Sequence, residues 1–324
     1  MHGLWSLLRA KAARPSPSSA STRTHRMSMP SPATVVIVTK NRKALLMNAI
    51  RSAVEQTVVP EIIVIDDGST DGTPEAVAAN FPDVRLVVPE RSRGYIVRRN
   101  EGIALASSEV IFSIDDDVVF GGPDTIATTL QEFDDERIWA VAIPYVNVNA
   151  SADIHQDGRG FEGTMIAPFF IGTAHALRRR VFLELGGYDE SLVHQGEGGD
   201  ICIRALEKGY LVRLGRATPI RHFESPIRNN ERIARLNARN AVGFCFKNVP
   251  MPEALVNAVL TSAKLVQYQR ARDLPLRPVL SGIKEGWQSA WARRRRYQPV
   301  RRRTFWIFRA LKASCRPLAW YEDA

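Results

Sequence analysis

Three consecutive aspartates, Asp115, Asp116 and Asp117, directly follow the apolar run Val110–Ile114. Adjacent like charges repel each other, so a cation or a solvated turn must relieve them. Because side chains alternate along an extended backbone, Asp115 and Asp117 point the same way and could share one metal ion. Hard divalent cations take oxygen ligands, usually one or two carboxylates together with substrate phosphates. The triplet therefore predicts a divalent metal site, with a solvated acidic turn or a helix N-cap as the alternative.

A second acidic strand end lies upstream, where Asp66 and Asp67 follow the apolar run Ile62–Ile65. A carboxylate at this place could accept hydrogen bonds from a nucleobase or a ribose. The glycine and serine residues that come next also favour a tight turn that needs no ligand. The residues alone leave both interpretations open.

The elements that must position these acids alternate between strand and helix. The predicted strands are 34–38, 62–65, 84–88 and 109–114, and the predicted helices between them are 45–54, 73–80 and 95–106. This alternation predicts an α/β fold with a mainly parallel sheet that helices cover on both faces. Such sheets bind ligands at the carboxyl ends of their strands, where both acidic clusters fall. The segment Thr39–Arg42 after the first strand carries no GxGxxG dinucleotide fingerprint.

The second half of the chain is less regular. We expect strands at 139–144, 169–177 and 210–214, helices at 178–185 and 200–208, and one long polar loop over 145–167. Glycines at positions 186, 187 and 209 mark the ends of the two helices.

Several segments, in order along the chain, carry a resemblance to a known family. They are VVIVTKNR (35–42), VIDDGSTDGT (64–73), RRNEGIALA (98–106), SIDDDV (113–118), GGYDESL (186–192), RHFES (221–225) and RNAVGFCFKNVP (239–250). Together they resemble the family 2 glycosyltransferases, which have the GT-A nucleotide-sugar-binding fold. The resemblance implies transfer of a sugar from a nucleotide diphosphate donor to a hydroxyl acceptor, with inversion at the anomeric carbon.

The resemblance also implies which residues contact the nucleotide-sugar donor. These are Thr39, Arg42, Asp67, Arg99, Asp115 and Asp116. Thr39 and Arg42 would flank the nucleotide, and Asp67 would bind the base. Arg99, or its neighbour Arg98, would lie near the diphosphate, where an arginine adds charge-assisted hydrogen bonds.

The metal site implied by the resemblance consists of Asp115, Asp117 and His222, holding Mn²⁺ or Mg²⁺. Asp117 would be the main ligand, as the last aspartate of the family's DxD pattern. A departing nucleoside diphosphate accumulates negative charge, which a bound divalent cation stabilises as a Lewis acid. His222 taken alone is equally compatible with an ordinary core or surface histidine.

The general base is where this sequence departs from the family pattern. An inverting displacement needs a carboxylate to take the proton from the acceptor hydroxyl. The family supplies it from a Glu-Asp-x-Asp stretch, which here reads Glu197-Gly198-Gly199-Asp200. Glu197 is the favoured base because its extra methylene extends its reach, with Asp200 or an inactive site as alternatives. Arg204, one helical turn after Asp200, is expected to form a structural ion pair with it.

Length and charge suggest how the chain is organised. Its 324 residues, 45% of them hydrophobic, suffice for one large domain or two smaller ones. The formal charge of +10 is concentrated at both ends, which indicates an anionic partner. We expect residues 1–31 to be disordered, a transit peptide or a mis-assigned start. Residues 32–250 would form the GT-A domain and residues 251–324 a basic helical region. Three widely spaced cysteines indicate neither a disulfide framework nor a zinc site.

Aromatic and basic residues are interleaved in the C-terminal region, at Trp287, Trp291, Phe305, Trp306 and Phe308. This pattern predicts helices lying on an anionic membrane surface, or else aromatics that pack on the catalytic domain. The first interpretation implies a peripheral protein at the cytoplasmic face of the plasma membrane. Its acceptor would be a glycan or a lipid-linked glycan of cell-surface or envelope synthesis. No recognised nucleic-acid-binding module accompanies the charge, so no nucleic acid partner is expected.

Two other functions compete with glycosyl transfer. A sugar nucleotidyltransferase on a similar sheet should carry a glycine-rich, basic phosphate loop after the first strand, which Thr39–Lys43 lacks. A non-catalytic module that binds nucleotide sugars or glycans is credible because Gly198 stands where the family has an acid.

Overall fold

The computed structural model describes residues 31–224 and 230–323, so the predicted extension over residues 1–31 lies outside the described residues apart from Ser31. The strands are β1 (Ala33–Thr39), β2 (Glu61–Asp66), β3 (Arg85–Val87), β4 (Val110–Asp115), β5 (Val118–Val119), β6 (Ile138–Ala142), β7 (Tyr145–Asn147), β8 (Ile154–His155), β9 (Met165–Ala167), β10 (Ala174–Arg178), β11 (Leu211–Leu214), β12 (Ile220–His222) and β13 (Arg316–Pro317). The α-helices are α1 (Lys43–Val54), α2 (Thr73–Asn80), α3 (Tyr95–Leu105), α4 (Thr125–Gln131), α5 (Arg179–Glu184), α6 (Glu197–Glu207), α7 (Asn230–Asn248), α8 (Glu253–Ala271), α9 (Leu276–Arg293), α10 (Arg302–Ala313) and α11 (Leu318–Asp323). Two short 3₁₀ helices span Glu190–Leu192 and Arg294–Arg296.

The main sheet orders its strands β13-β9-β11-β6-β10-β4-β1-β2-β3. Strands β3, β2, β1 and β4 run parallel, and their bounds lie within one or two residues of the predicted strands. β10 enters antiparallel between β4 and β6, so the other half of the sheet is mixed. A second sheet of order β5-β12-β7-β8 lies beyond the end of β4. The predicted α/β fold, with a large sheet between helices, is confirmed.

Successive residues of β1 and β2 serve opposite faces of the main sheet. On one face, Val36 of β1 and the β2 residues Ile63 and Ile65 are buried in one cluster with Ile96 and Ile103 of α3. On the other face, the strand residues Val35, Ile37, Ile62 and Val64 are buried in one cluster with Leu46 and Ile50 of α1. Because both faces of these strands are covered, the strands are continuous apolar runs and end abruptly where acids begin.

The region 145–178 differs from the sequence prediction. The predicted single loop over 145–167 contains β7, β8 and β9, which are two or three residues long. Such short strands give no period-2 pattern to detect. The predicted strand 169–177 is wrong in its first half, because β10 begins at Ala174. The apolar run around Phe170 leaves the sheet instead, and its ring stacks on His175 with centroids 3.9 Å apart.

The predicted helix 200–208 begins one turn earlier, at Glu197. Gly198 and Gly199 conceal this turn in the sequence, since glycine disfavours a helix interior. Gly196, at φ +92°, turns the chain into the helix. Glu197 and Asp200 therefore both lie on the first turn of α6.

The aromatic residues of the C-terminal region divide into a buried and an exposed set. Phe305 and Phe308 of α10 are buried in one cluster with Ile203 of α6. Trp291 and Trp306 are 70% and 56% exposed. β13 pairs with β9, so this region also adds the edge strand of the main sheet. Within residues 31–224 and 230–323, no helix combines the length and apolarity that crossing a membrane requires.

Candidate active site

Three strand ends meet at one edge of the main sheet. Thr39 of β1 pairs with Asp66 of β2, and Val38 of β1 pairs with Asp115 of β4. The carboxyl ends of these parallel strands therefore bring Thr39, Asp66 and Asp115 side by side, where such sheets bind ligands. Both acidic clusters that the sequence singles out lie at this edge.

Asp115, Asp117 and His222 form a cluster, called here the metal cluster, in which one possible ligand atom of each residue lies within 4.8 Å of the others. β12 pairs with β5 so that His222 lies opposite Val118. This register brings His222 Nε2 to 3.2 Å from Asp117 Oδ1. Burial favours the neutral ring, but Asp117 and Asp115 raise the pKa of His222. The predicted metal ligands thus come together, although His222 lies far from Asp115 and Asp117 along the chain.

The Oδ1 atom of Asp117 provides a test of whether a cation fits. It is buried, and it forms no hydrogen bond with any described residue. His222 Nε2 lies 3.2 Å from it, so a protonated ring would pair with this oxygen and a neutral ring would leave it to a cation. A buried charged oxygen is costly without such a partner, and a bound cation would supply one. Two carboxylates suit Mg²⁺ or Mn²⁺, so the residues present fit the predicted ion.

Asp116 is held by two of the predicted nucleotide-binding residues. Thr39 Oγ1 donates to Asp116 Oδ2 at 2.8 Å. Arg42 Nη1 donates to Asp116 Oδ1 at 2.9 Å and to Asp117 Oδ2 at 2.7 Å. Burial raises the pKa of Asp116 to about 6, against the opposing effect of Arg42. The positive charge of Arg42 offsets the charges of Asp116 and Asp117. The Arg42 side chain is 33% exposed at this edge of the sheet.

Asp67 accepts four hydrogen bonds from α3 and from the segment that leads into it. The donors are Ser92 Oγ at 2.6 Å, the backbone N–H groups of Arg93 and Gly94 at 2.9 Å, and Arg98 Nε at 2.7 Å. Burial opposes ionisation, but these hydrogen bonds lower the pKa of Asp67. Arg98 is thus engaged by Asp67 and does not share the position of Arg99. The contact of Asp67 with a nucleobase stays a prediction.

Arg99 joins the metal cluster to α6. Its Nη2 donates to Asp115 Oδ1, and its Nη1 lies 3.6 Å from Glu197 Oε1. Tyr95 Oη donates to the same glutamate oxygen at 3.1 Å. Burial favours the neutral form of Arg99, but Asp115 and Glu197 raise its pKa, so it stays charged. One buried guanidinium therefore bridges the two halves of the predicted site.

The two candidate bases differ in their partners. Glu197 is 6% exposed, and its Oε2 has no hydrogen-bond partner among the described residues. Asp200 has both oxygens engaged, Oδ1 by Lys247 at 2.7 Å and Asn248 at 3.0 Å, and Oδ2 by Arg204 at 3.0 Å. The predicted ion pair of Asp200 with Arg204 is confirmed. A proton acceptor needs an available oxygen, so this geometry favours Glu197.

Gly198 stands where the family pattern has an acid, and the fold leaves no room for a side chain there. A Cβ at this position would lie 2.7 Å from the backbone oxygen of Phe170. The adjacent Gly199 has no heavy atom within 4 Å of its own Cβ position. The close approach of the segment around Phe170 to α6 therefore excludes an acid at residue 198.

Sequence reasoning missed the side chains that pack against the segment around Phe170. His175 Nε2 lies 2.8 Å from Tyr188 Oη, beneath the ring of Phe170. Burial lowers the pKa of His175 well below its usual value, so the ring is neutral. His175 lies in an apolar strand that gave no signal. Lys247 lies within the segment RNAVGFCFKNVP, which the resemblance had already marked.

A cavity of about 1000 Å³, called here the Glu197 cavity, opens beside Glu197. Its walls come from the segment 169–172, from residues 189–200 and from helices α7, α8, α9 and α10. Glu197 therefore faces the metal cluster through Arg99 on one side and a large cavity on the other.

Residues 34–186 match the family model described as glycosyl transferase family 2. The uncharacterized glycosyltransferase YwdF of Bacillus subtilis is 27% identical over 199 residues, which cover 58% of this chain and 73% of that protein. The succinoglycan biosynthesis protein ExoU of Rhizobium meliloti is 32% identical over 202 residues, which cover 56% of this chain and 58% of ExoU.

Two solved structures share the fold. The mannosyltransferase PcManGT from Pyrobaculum calidifontis, in complex with GDP-Man and Mn²⁺, aligns with a TM-score of 0.54 and 19% identity over 82% of this chain and 88% of that chain. TarS of S. aureus aligns with a TM-score of 0.53 and 16% identity over 79% of this chain and 55% of that chain. The fold is that of the GT-A glycosyltransferases, and over residues 34–186 the chain matches glycosyl transferase family 2.

Proposed function

We propose that the protein is an inverting, metal-dependent glycosyltransferase that uses a nucleotide-diphosphate-sugar donor. The observation that carries this proposal is the metal cluster, in which the buried Asp117 Oδ1 has no hydrogen-bond partner among the described residues. The structurally similar mannosyltransferase contains GDP-Man and Mn²⁺, which supports the same donor class here. Asp115, Asp117 and His222 would hold Mn²⁺ or Mg²⁺, which supplies Lewis-acid stabilisation to a leaving diphosphate.

The donor would lie along the carboxyl edge of β1, β2 and β4. In this proposal Thr39, Arg42, Asp67 and Asp116 contact the nucleoside. Arg42 is the partly exposed member of this group, so it can turn from the acids to a ligand. The buried Arg99 keeps its charge beside Asp115 and adds hydrogen-bond donors where the diphosphate would lie. These side chains orient the donor and leave its anomeric carbon toward α6.

Glu197 would act as the general base. Its Oε2, which is buried and has no hydrogen-bond partner among the described residues, would accept the proton of the acceptor hydroxyl, and the hydroxyl oxygen would form a bond to the anomeric carbon. The bond from that carbon to the diphosphate oxygen breaks, and its electron pair leaves with the nucleoside diphosphate. Tyr95 and Arg99 hold Oε1 at 3.1 and 3.6 Å, which leaves Oε2 for the acceptor. A single displacement of this kind inverts the anomeric centre.

The acceptor and the location of the reaction also belong to this proposal. ExoU is named as a succinoglycan biosynthesis protein, which supports a role in cell-surface or envelope polysaccharide or glycolipid synthesis. We assign residues 32–250 to the catalytic domain and residues 251–324 to the acceptor side, as a basic helical region. The charge of +10 and the exposed Trp291 and Trp306 support peripheral binding at the cytoplasmic face of an anionic membrane.

A non-catalytic module that binds nucleotide sugars or glycans is the competing function, favoured by Gly198 at the usual acid position. A panel of nucleotide sugars assayed with Mn²⁺ separates the two functions. We expect one donor to raise the melting temperature most. The same donor should be hydrolysed or transferred by the wild type and not by Glu197→Gln. Stabilisation without turnover would indicate a binding module, and absence of both would contradict the proposal.

A further inference from the structure

Glu197 follows a segment of strained backbone, residues 192–196, called here the Val193 loop. Val193 has φ 63° and ψ −44°, and the N–H of His194 donates to the carbonyl oxygen of Leu192 at 2.7 Å. A hydrogen bond of this span around a residue of positive φ is the rare and strained form of the γ-turn. Valine is β-branched, so a positive φ is costly for it. Because Val193 is 44% exposed, burial of its side chain does not offset that cost.

The residues between this turn and α6 keep the backbone in unusual conformations. Gln195 and Gly196 have φ 61° and 92°, so three of the four residues that precede Glu197 have positive φ. Strained backbone of this kind persists only where the surrounding structure holds it, and it is found at functional sites. The conformation of the Val193 loop therefore needs a clamp.

Asn240 of α7 supplies hydrogen bonds on both sides of the turn. Its Nδ2 donates to the carbonyl oxygen of Leu192 at 3.0 Å, and to those of His194 and Gln195 at 2.8 Å. Its Oδ1 accepts from Arg239 Nε at 3.0 Å, so the amide nitrogen is the atom that faces the loop. The residue is only 6% exposed. One buried amide thus gathers three carbonyl oxygens of the strained segment.

Tyr95 connects the same loop to the side chain of Glu197. Its Oη accepts from the N–H of Gln195 at 2.8 Å and donates to Glu197 Oε1 at 3.1 Å. The guanidinium of Arg99 lies 5.1 Å from the centre of the Tyr95 ring. A shift of the loop would therefore change the position of Glu197 relative to Tyr95 and Arg99.

We propose that Asn240 is a positioning residue for the general base. It holds the Val193 loop in its strained conformation, and the loop fixes where Oε2 of Glu197 lies relative to the donor. Without Asn240, three carbonyl oxygens lose a donor and the turn relaxes, which carries Glu197 away from its place. This inference rests on the proposed function, because it assigns the base of that reaction to Glu197.

The strain separates this role from ordinary support of the fold. A buried asparagine that only satisfies backbone groups stabilises a conformation that the chain would adopt without it. Here the hydrogen bonds of Asn240 act against the strain at Val193. The two residues are therefore coupled, and removal of the strain should lessen the need for Asn240.

Turnover by Asn240→Ala, with the nucleotide sugar that the donor panel selects, tests the proposal. We expect kcat to fall at least about tenfold because the base is misplaced, while Mn²⁺-dependent binding of UDP or GDP is kept. Hydrogen exchange at residues 193–197 should rise at least about tenfold. Asn230→Ala, at an exposed position where the same helix begins, is the matched control and should behave as the wild type does.

The double variant Asn240→Ala/Val193→Gly is the sharper test. Glycine adopts a positive φ without the steric cost, so the turn no longer pulls against the missing clamp. We expect the double variant to have a kcat at least about threefold higher than that of Asn240→Ala. A purely structural asparagine predicts the reverse, since the losses from two independent substitutions add. If Asn240→Ala does not fold, Asn240→Ser takes its place in both comparisons, because its shorter side chain does not span the three carbonyl oxygens.

Three results would overturn the inference: an unchanged kcat in the position 240 variant, a double variant no faster than that single variant, or a loss of nucleotide binding as large as the loss of kcat. Nucleotide binding and turnover by the wild type, combined with any of these results, contradict the role of Asn240 alone. Absence of turnover with every donor by the wild type contradicts the proposed function itself.

Discussion

The metal cluster and the Glu197 cavity handle charge in opposite ways. At the metal cluster, buried acids are crowded together and two arginines, Arg42 and Arg99, already balance part of their charge. In the Glu197 cavity, Lys247 is paired with Asp189 and Asp200, and the other basic residues of the lining form no ion pair with a carboxylate of the described residues. The first arrangement suits a cation that completes an acidic set, whereas the second leaves an excess of basic side chains around an open cavity. Glu197 stands between them, joined to the acidic side through Arg99 at 3.6 Å.

The largest effect in this comparison is expected from Asp117→Asn. The change removes the charge of the residue that touches both Arg42 and His222. We expect transfer to fall by about a thousandfold or more, or about 4 kcal/mol of transition-state stabilisation. Initial rates at saturating Mn²⁺ measure it. Asp153→Asn is the control, because Asp153 is exposed and is not one of the proposed site residues. A fall of less than tenfold in the transfer rate of Asp117→Asn would contradict a metal role for Asp117.

Glu197→Gln should separate chemistry from binding. The amide cannot accept a proton, so the transfer rate should fall by about a hundredfold to ten-thousandfold while Mn²⁺-dependent nucleotide binding is kept. Asp200→Asn is the matched variant on the same helical turn. Because Asp200 is engaged by Arg204, Lys247 and Asn248, its loss should appear as lower stability in urea unfolding. If Asp200→Asn abolishes transfer in folded protein and Glu197→Gln does not, the assignment of the base is wrong.

Side-chain replacements in α10 test whether the C-terminal helical region shares a core with the residues that precede it. Phe308 is 3% exposed, so Phe308→Ala should cost about 3–5 kcal/mol of unfolding free energy. Trp306, two residues away and 56% exposed, should cost less than about 1 kcal/mol when changed to alanine. Chemical denaturation of both variants measures the difference. Equal losses would show that residues 302–313 do not pack as described.

The smallest effect is expected from the two adjacent glycines of α6. Gly198→Ala places a Cβ 2.7 Å from the Phe170 oxygen and should destabilise the protein by about 1–3 kcal/mol. Gly199→Ala has open space and should be neutral or slightly stabilising, since alanine favours helix. Thermal unfolding of the pair checks the expectation. Identical melting temperatures would mean that Gly198 is not required by close packing.

The acidic side of the site was predictable from sequence because strand ends are local features. An apolar run that stops at acidic residues indicates a buried strand and the position of its carboxyl end. Asp66 and Asp115 are the last residues of β2 and β4. The parallel register then brings Thr39 to the same edge without further information. Only the resemblance, and no local pattern, connected His222 to Asp117.

The Glu197 cavity was not predictable in the same way. Its walls come from segments between residues 169 and 313, brought together by helix packing that leaves no local pattern. The start of α6 was concealed by Gly198 and Gly199, which the close approach of the Phe170 backbone explains only in three dimensions. The sequence also gave no means to separate the buried Phe308 from the exposed Trp306, because both belong to one basic, aromatic-rich segment.

Electron paramagnetic resonance of Mn²⁺ titrated into the protein with UDP or GDP tests the central claim most directly. We predict one nucleotide-dependent Mn²⁺ per wild-type chain and none in the double variant Asp115→Asn/Asp117→Asn, with Asp153→Asn unchanged. Equal Mn²⁺ binding by the double variant and the wild type would show that the ion lies elsewhere and would contradict the account.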